Sequence, residues 1–498
     1  MLTTTRAGTA ALATATLAAA LLAGTAAPAL ADTPSASPSP VAAPAAVYGK
    51  GDPSYDGVWR QSLALIALAN SGVVPADDAV NWLTGQQCAD GGWPSYRAAG
   101  TDPAGCDTKT EDSNATAMAI QALSKLEGHQ NAVSRGVEWL KRVQNPDGSW
   151  AYNPGNPGDA NSTGLAVSAL LTVGTDPAAV AKDGKSAYDG LALFQLGCAA
   201  PVGQRGAFAY QPAPDGTLAP NGLATAQAAL AAAGGKLPVT NTNRVDAAPK
   251  PLDCSTATSG PVPRAASAEA VSAHLVGQLA IDGQHLMLTT PGAAPTPDFA
   301  ATAWAALSLI QAGHPKEAAG PTDWLAGNGY AWATKGPSGT DASAAATLVL
   351  TAQAAKLDPL NFGGSNILQL LIDSGPAPKS VPPAAGAAAS DYPKGTKAPG
   401  SSITEAENNG GFSPFWLIGV GLLIGIGGGL LISLQRKRGN HTPGGAAKPA
   451  TAPTTTRTTE PAAPGATSDG SSDGSSDGSS GTAKPAEAPA EGKDGEQK

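Results

Sequence analysis

Charge is scarce in this chain. Only 14% of the 498 residues are Asp, Glu, Lys or Arg, and 30 basic against 39 acidic residues leave a net charge of −9. That balance offers no basic footprint for nucleic acid. Methionine occurs three times and the five histidines are scattered. The four cysteines, Cys88, Cys106, Cys198 and Cys254, include no CxxC pair. A cysteine-rich zinc site is therefore excluded, and no metal or cofactor set stands out. An even cysteine number in an exported chain instead implies disulfides. Three pairings are open. Cys88 with Cys106 is favoured, because they flank one loop, and this leaves Cys198 with Cys254. Closing the first loop stabilises by roughly 3 kcal/mol in the chain-entropy model.

What is abundant is small and apolar. Hydrophobic residues make up 42% of the chain, with 61 Gly and 43 Pro, enough for a large core. Residues 1–31 read as a secretory signal, with Arg6, an Ala/Leu-rich run and Ala29-Leu30-Ala31 as the cleavage site. The competing reading is an uncleaved membrane anchor. Residues 32–53 form a Pro/Ser/Ala linker too poor in large apolar residues to fold. Residues 373–413 read as a flexible stalk, and 414–434 as a transmembrane helix followed by Arg436-Lys437-Arg438. That order predicts a single-pass cell-membrane protein with its folded part outside and a disordered cytoplasmic tail over 435–498. Gly421, Gly425 and Gly429 share one face of the span and could seat a transmembrane partner. Chance placement in a Gly-rich sequence explains them equally well.

The folded part, 54–372, is organised by a repeat. Val80-Asn81-Trp82-Leu83 is followed by Gln87-Cys88-Ala89-Asp90-Gly91-Gly92-Trp93. Val137-Glu138-Trp139-Leu140 is followed at the same spacing by Gln144-Asn145-Pro146-Asp147-Gly148-Ser149-Trp150. The helix opener Asp112-Ser113-Asn114-Ala115-Thr116-Ala117 recurs at Asp159-Ala160-Asn161-Ser162-Thr163-Gly164. Looser echoes begin at Asn221, Asp298 and Asp341. With a first helix near Val58, six helix pairs are predicted. The fourth partner is displaced to about 267–280 by a Pro-rich insertion. No such pair buries its apolar face alone, so the units need neighbours. The predicted class is all-α: a closed α/α toroid of six inner and six outer helices.

Gln-x-x-Asp-Gly-x-Trp after a helix pair resembles the repeat of the terpenoid cyclase and protein prenyltransferase superfamily. The resemblance implies an α/α toroid whose inner helices surround a cavity. It also offers chemistries that can be checked residue by residue. Cyclases that start by protonation carry an Asp-x-Asp-Asp-Thr-Ala-Met-Ala-type run. Here it reads Asp112-Ser113-Asn114-Ala115-Thr116-Ala117-Met118-Ala119, with Asn114 in the donor place. An amide is no carboxylic acid donor, and Glu111 is turned about 100° away on a helix. The prenyltransferase zinc set is absent: Asp253-Cys254 with His274 and His285 does not match its spacing. Neither Cys88 nor Cys198 opens a thioester run.

Glu111, Asp112, Asp159, Asp298 and Asp341 could approach one mouth of the ring, as a glycan-cleaving pair would. Their recurrence at helix starts is what capping predicts, and capping is the favoured reading. A further resemblance is to the cobalamin carriers intrinsic factor and transcobalamin, through Asn161–Leu170 and through Gly222–Leu230 followed by Gly235-Lys236-Leu237-Pro238-Val239. It makes a corrinoid the possible ligand. Aromatics recur after the turns; Trp93 and Trp150 read as clamps between repeats. Ligand-binding candidates are Tyr96, Glu111, Asp112, Asn114, Tyr152, Asn161, Tyr210, Asn221, Tyr330 and Trp332. Together these readings predict a surface toroid that captures a small-molecule or protein ligand without catalysis. A terpene-cyclase or prenyltransferase-like enzyme acting on an isoprenoid or lipid is the alternative, and a structural adhesion module the second.

Overall fold

The computed structural model describes residues 41–382, apart from Ala257, Thr258, Pro291 and Pro337. Six helices alternate with six others. The first of each pair are α1 (Pro53–Asn70), α3 (Ser113–Leu123), α5 (Ala160–Thr172), α7 (Gly222–Ala232), α9 (Phe299–Gln311) and α11 (Ala342–Ala354). The second are α2 (Asp77–Gly85), α4 (Gln130–Val143), α6 (Ala187–Ala192), α8 (Arg264–Ile281), α10 (Pro315–Thr334) and α12 (Ile367–Asp373). Each odd-numbered helix packs on the next, and α11 packs back on α1, so the inner ring closes. The even-numbered helices pack outside it.

The division follows from sequence. Inner helices are buried nearly all round: in α11 the run Ala344–Ala352 has no exposed residue. A helix apolar on every side belongs inside. Small side chains let these helices approach closely, and a Cβ on Gly164 of α5 would lie 3.2 Å from the Ala228 Cα of α7. Outer helices are one-sided. In α4 the buried residues Val133, Gly136, Val137 and Leu140 fall at i, i+3, i+4 and i+7, the spacing of a single apolar stripe.

Each inner helix is capped by an Asx side chain. Asp52, Asp112, Asp159, Asn221, Asp298 and Asp341 accept backbone N–H groups of their own first turns. These caps satisfy N–H groups that a helix start leaves free. They also set all six N-termini at one face of the ring, because successive inner helices are returned by an outer one. Two short antiparallel hairpins interrupt the helices, Ala181–Lys182 with Lys185–Ser186 and Leu286–Leu288 with Thr296–Asp298.

The Gln-turn-Trp motif ties repeat to repeat. Trp93 and Trp150 are fully buried. Their indoles donate to Leu83 O and Leu140 O at 2.9 and 2.8 Å. Gln87 and Gln144 each donate both to a carbonyl of their own turn, Gly91 or Gly148, and to one of the next repeat, Ala132 or Val180. A third copy was hidden in sequence: Gln195 donates to Gly206 O and Ser267 O, and Phe208 takes the tryptophan's place. Both expected disulfides form, Cys88–Cys106 and Cys198–Cys254, and the second braces the enlarged third turn.

Three expectations change. Residues 41–52 are not merely linker, because Tyr48 is buried and its backbone is held by Gln61 and Arg60. The first residues assigned to the stalk also join the fold, since Val74 and Ser380 pair and Lys379 N–H donates to Val74 O. The single-pass membrane localisation is overturned: among the described residues no helix is long and apolar enough to cross a membrane. The longest, α1, α8 and α10, carry Arg60, Glu269, His274, Glu317 and Asp323 within them. The expected signal, the span over 414–434, the seam Gly421, Gly425 and Gly429, and the tail lie outside the described residues.

Candidate functional site at the mouth of the toroid

The mouth is built by the first turns of the inner helices. Asp112 is buried at the start of α3. Its Oδ1 accepts Asn114 N–H at 2.7 Å and Ala115 N–H at 3.0 Å. Its Oδ2 takes no backbone N–H and instead accepts the Ser95 hydroxyl at 2.8 Å. Ser95 Oγ lies 3.0 Å from the Tyr152 hydroxyl. Burial raises the Asp112 pKa, against the opposing hydrogen bonds. Burial and the Asp112 charge together raise that of Tyr152. One carboxyl oxygen thus caps the helix while the other joins a chain of hydroxyls.

The next repeat has a simpler version. Asp159 accepts Ser162 N–H and Ser162 hydroxyl at 2.8 and 2.7 Å, and burial lifts its pKa to about 6. Tyr210 occupies the place of Tyr152, its pKa raised by burial and by Asp159. Tyr152 O and Tyr210 O accept the first helical N–H, from Ser113 and Ala160. A threonine four residues after four of the six caps fixes the turn: Thr116, Thr163, Thr225 and Thr302 accept the N–H of Trp93, Trp150, Phe208 and Leu286. The threonines stood in the opener and went unread as a device.

Behind the first turns the two inner helices that flank α11 touch. Trp59 of α1 and Trp304 of α9 are not on neighbouring inner helices, yet their ring centroids lie 6.4 Å apart. At the opposite end Gln121 Oε1 of α3 accepts Leu237 N–H, from the segment after α7, at 2.9 Å. Leu237 and Val239 are buried there. Trp59 and Trp304 thus meet behind the first turns, and Leu237 is held on Gln121 toward the other end of the inner helices.

The other candidates scatter. Asn114 is half-buried on the first turn of α3, and its Oδ1 is buried without a hydrogen-bond partner. Asn161 donates to Gln227 Oε1 at 2.6 Å, linking α5 to α7. Trp332 stacks on Phe299, which also meets Trp324, and Trp324 stacks on His285. Tyr330 is 47% exposed. Asn221 lines a cavity of about 500 Å³ with His274, Gln278 and Leu286, between α7 and α8. Tyr96 and Glu111 line a second cavity, of about 240 Å³, beside Cys106. Sequence reasoning missed Trp59, Trp304, Ser95, Gln121 and Leu237. Only the aromatic character of the two tryptophans was a usable signal. The grouping Cys88, Cys106 and Glu111 has metal-ligand spacing, but the two sulfurs are bonded to each other and offer no thiolate.

Residues 47–165 match the family profile of the squalene-hopene cyclase C-terminal domain. The chain is 34% identical over 105 residues to squalene–hopene cyclase of Alicyclobacillus acidocaldarius, a match covering 19% of this chain and 16% of that protein. It is 32% identical over 110 residues to drimenyl diphosphate synthase of Streptantibioticus cattleyicolor, covering 20% of this chain and 19% of that protein. The matches thus span less than a fifth of either relative's length. A solved structure of a protein from Actinoplanes aligns with a TM-score of 0.37 at 15% identity, covering 62% of this chain and 92% of that one. The sequence matches support the terpenoid cyclase and prenyltransferase superfamily. Likeness to the cobalamin carriers is not shown by them.

Proposed function

We propose that this toroid, built on the repeat of the terpenoid cyclase and prenyltransferase superfamily, acts on an isoprenoid-type substrate at the mouth where its inner helices begin. This was the alternative reading of the sequence, and the cyclase matches favour it over capture without catalysis. The observation that supports it is a coincidence in one segment. The stretch similar to squalene–hopene cyclase, 47–165, contains both Trp59, next to Val58 whose N–H donates to Ser95 O, and the buried Asp112–Ser95–Tyr152 cluster.

The cluster gives this reading a proton source. Burial favours the neutral carboxyl of Asp112, the form that can act as a general acid. Its Oδ1 is occupied by capping, so this reading puts the proton on Oδ2, and release through Ser95 requires the Ser95 hydroxyl to turn from donor to acceptor. An alkene π pair takes that proton to form a C–H bond, and the cation so formed faces indole rings whose π-electrons attract positive charge. A second reading, capture of the same class of ligand without turnover, is favoured by Asn114 in the donor place and by the contacts at Trp59–Trp304 and Gln121–Leu237.

The test incubates the purified full chain with squalene and with farnesyl diphosphate and analyses the extract by mass spectrometry. The enzymatic reading expects a cyclised product that Asp112→Asn abolishes while the melting temperature is kept. Unchanged substrate that co-purifies with the protein supports capture. Neither product nor bound isoprenoid removes both readings.

A further inference from the structure

Glu111 is the acidic residue that neither capping nor the mouth uses. It is 1% exposed, and neither carboxylate oxygen has a hydrogen-bond partner. A buried carboxyl with only the Trp139 N–H and Asp90 beside it is costly to keep. It lies against Trp139, whose Nε1 is also without a partner, and a Cβ on Gly92 would overlap both groups. Its oxygen falls within 4.8 Å of Cys88 Sγ and Cys106 Sγ. The two sulfurs differ in access: Cys88 is buried, while Cys106 is half-exposed and lines the 240 Å³ cavity with Tyr96 and Glu111.

We propose that Cys88–Cys106 is a redox-active disulfide that takes a dithiol as its substrate, with Glu111 as the proton donor to the leaving Cys88 sulfur. A thiolate of the dithiol enters the cavity and attacks Cys106 Sγ. A new S–S bond forms to Cys106, the Cys88–Cys106 bond breaks, and its electron pair leaves on Cys88 Sγ. The Glu111 carboxyl passes its proton to that sulfur and is reprotonated from water. The second thiolate of the dithiol then attacks its own partner sulfur in the mixed disulfide and releases Cys106, which takes a proton from water. The dithiol is oxidised to a disulfide, and the protein is reduced to two thiols.

Burial sets the proton donor for this task. It lifts the Glu111 pKa to about 7, with the Asp90 charge adding to the effect and Trp139 and Arg142 opposing it. The charged groups around the carboxyl are few. Asp90 is paired with Arg142 at 3.1 Å, and Arg135 donates to Cys88 O at 2.6 Å. Arg97, Asp102 and Asp107 also line the cavity. Opening the bond is felt at the mouth, because the loop it closes carries Ser95, whose carbonyl accepts Val58 N–H of α1 and whose hydroxyl meets Asp112.

Cys198–Cys254 is a built-in control. Both of its cysteines are half-exposed, so access alone predicts that it opens at least as fast. The full chain, purified oxidised, is treated with dithiothreitol, quenched by alkylation at intervals, and the four cysteine peptides are weighed. The ratio of opening rates, Cys88–Cys106 over Cys198–Cys254, cancels the ionisation of the reductant. We expect that ratio to rise about tenfold as the pH falls from about 8.5 to about 6, as Glu111 gains its proton. In Glu111→Gln the ratio should be low and independent of pH. A flat ratio in the unmodified protein overturns the proposal, whether or not the variant folds. A ratio that still rises in a folded Glu111→Gln also overturns it.

Discussion

Asp112 shows how one side chain serves structure and chemistry through different atoms. Oδ1 receives two N–H groups of the first turn, and Oδ2 receives only a hydroxyl. An asparagine keeps an acceptor at the cap and loses the acidic proton; an alanine loses both. Asp112→Asn is therefore expected to change stability little, whereas Asp112→Ala should cost about 0.5–2 kcal/mol. Urea unfolding of the two variants checks this, and equal losses would deny the cap. The capping role was legible in sequence, because Asp112, Asp159, Asn221, Asp298 and Asp341 recur before small-residue helices. The Ser95 and Tyr152 contacts were not. They join segments far apart in the chain, and no local pattern encodes which hydroxyl meets which carboxyl.

At the scale of the element, the repeat is a set of hydrogen bonds as much as a packing unit. Each threonine in the opener accepts the N–H of the residue closing the preceding turn, and the tryptophan indole reaches back to the outer helix. Thr163→Val keeps the shape but leaves Trp150 N–H buried without an acceptor. It should cost about 1–3 kcal/mol, read as a lowered urea midpoint; a midpoint within error of the unmodified protein would show that the bond is dispensable. Five of the six inner helix starts were readable to within a residue, since cap and apolar run coincide there; α1 starts at Pro53 behind its cap Asp52, ahead of the expected Val58. The third Gln-turn-aromatic copy was not readable, because the turn between Gln195 and Phe208 is enlarged and carries Cys198. Residues 41–52 and 374–382 were misjudged for a related reason. Their composition resembles linker, and their order comes from docking on α1 and beside α2 rather than from any pattern of their own.

For the whole molecule, closure of the ring decides what the centre can hold. Small inner residues, and hence a narrow interior, were legible in sequence. It could not show that Trp59 and Trp304 meet past α11, or that Leu237 docks on Gln121 of α3, since these contacts exist only once the ring has closed. A ligand on this account rests at the mouth against indole rather than deep in a lumen. A ligand bound by the native state alone raises apparent stability in proportion to the logarithm of its concentration. The most direct measurement is the melting temperature of the full chain in a squalene and farnesyl diphosphate series, repeated with Trp59→Ala. The account predicts a rise with ligand concentration in the unmodified protein and its loss in a folded Trp59→Ala. No rise with either isoprenoid, or an equal rise in the variant, would contradict it.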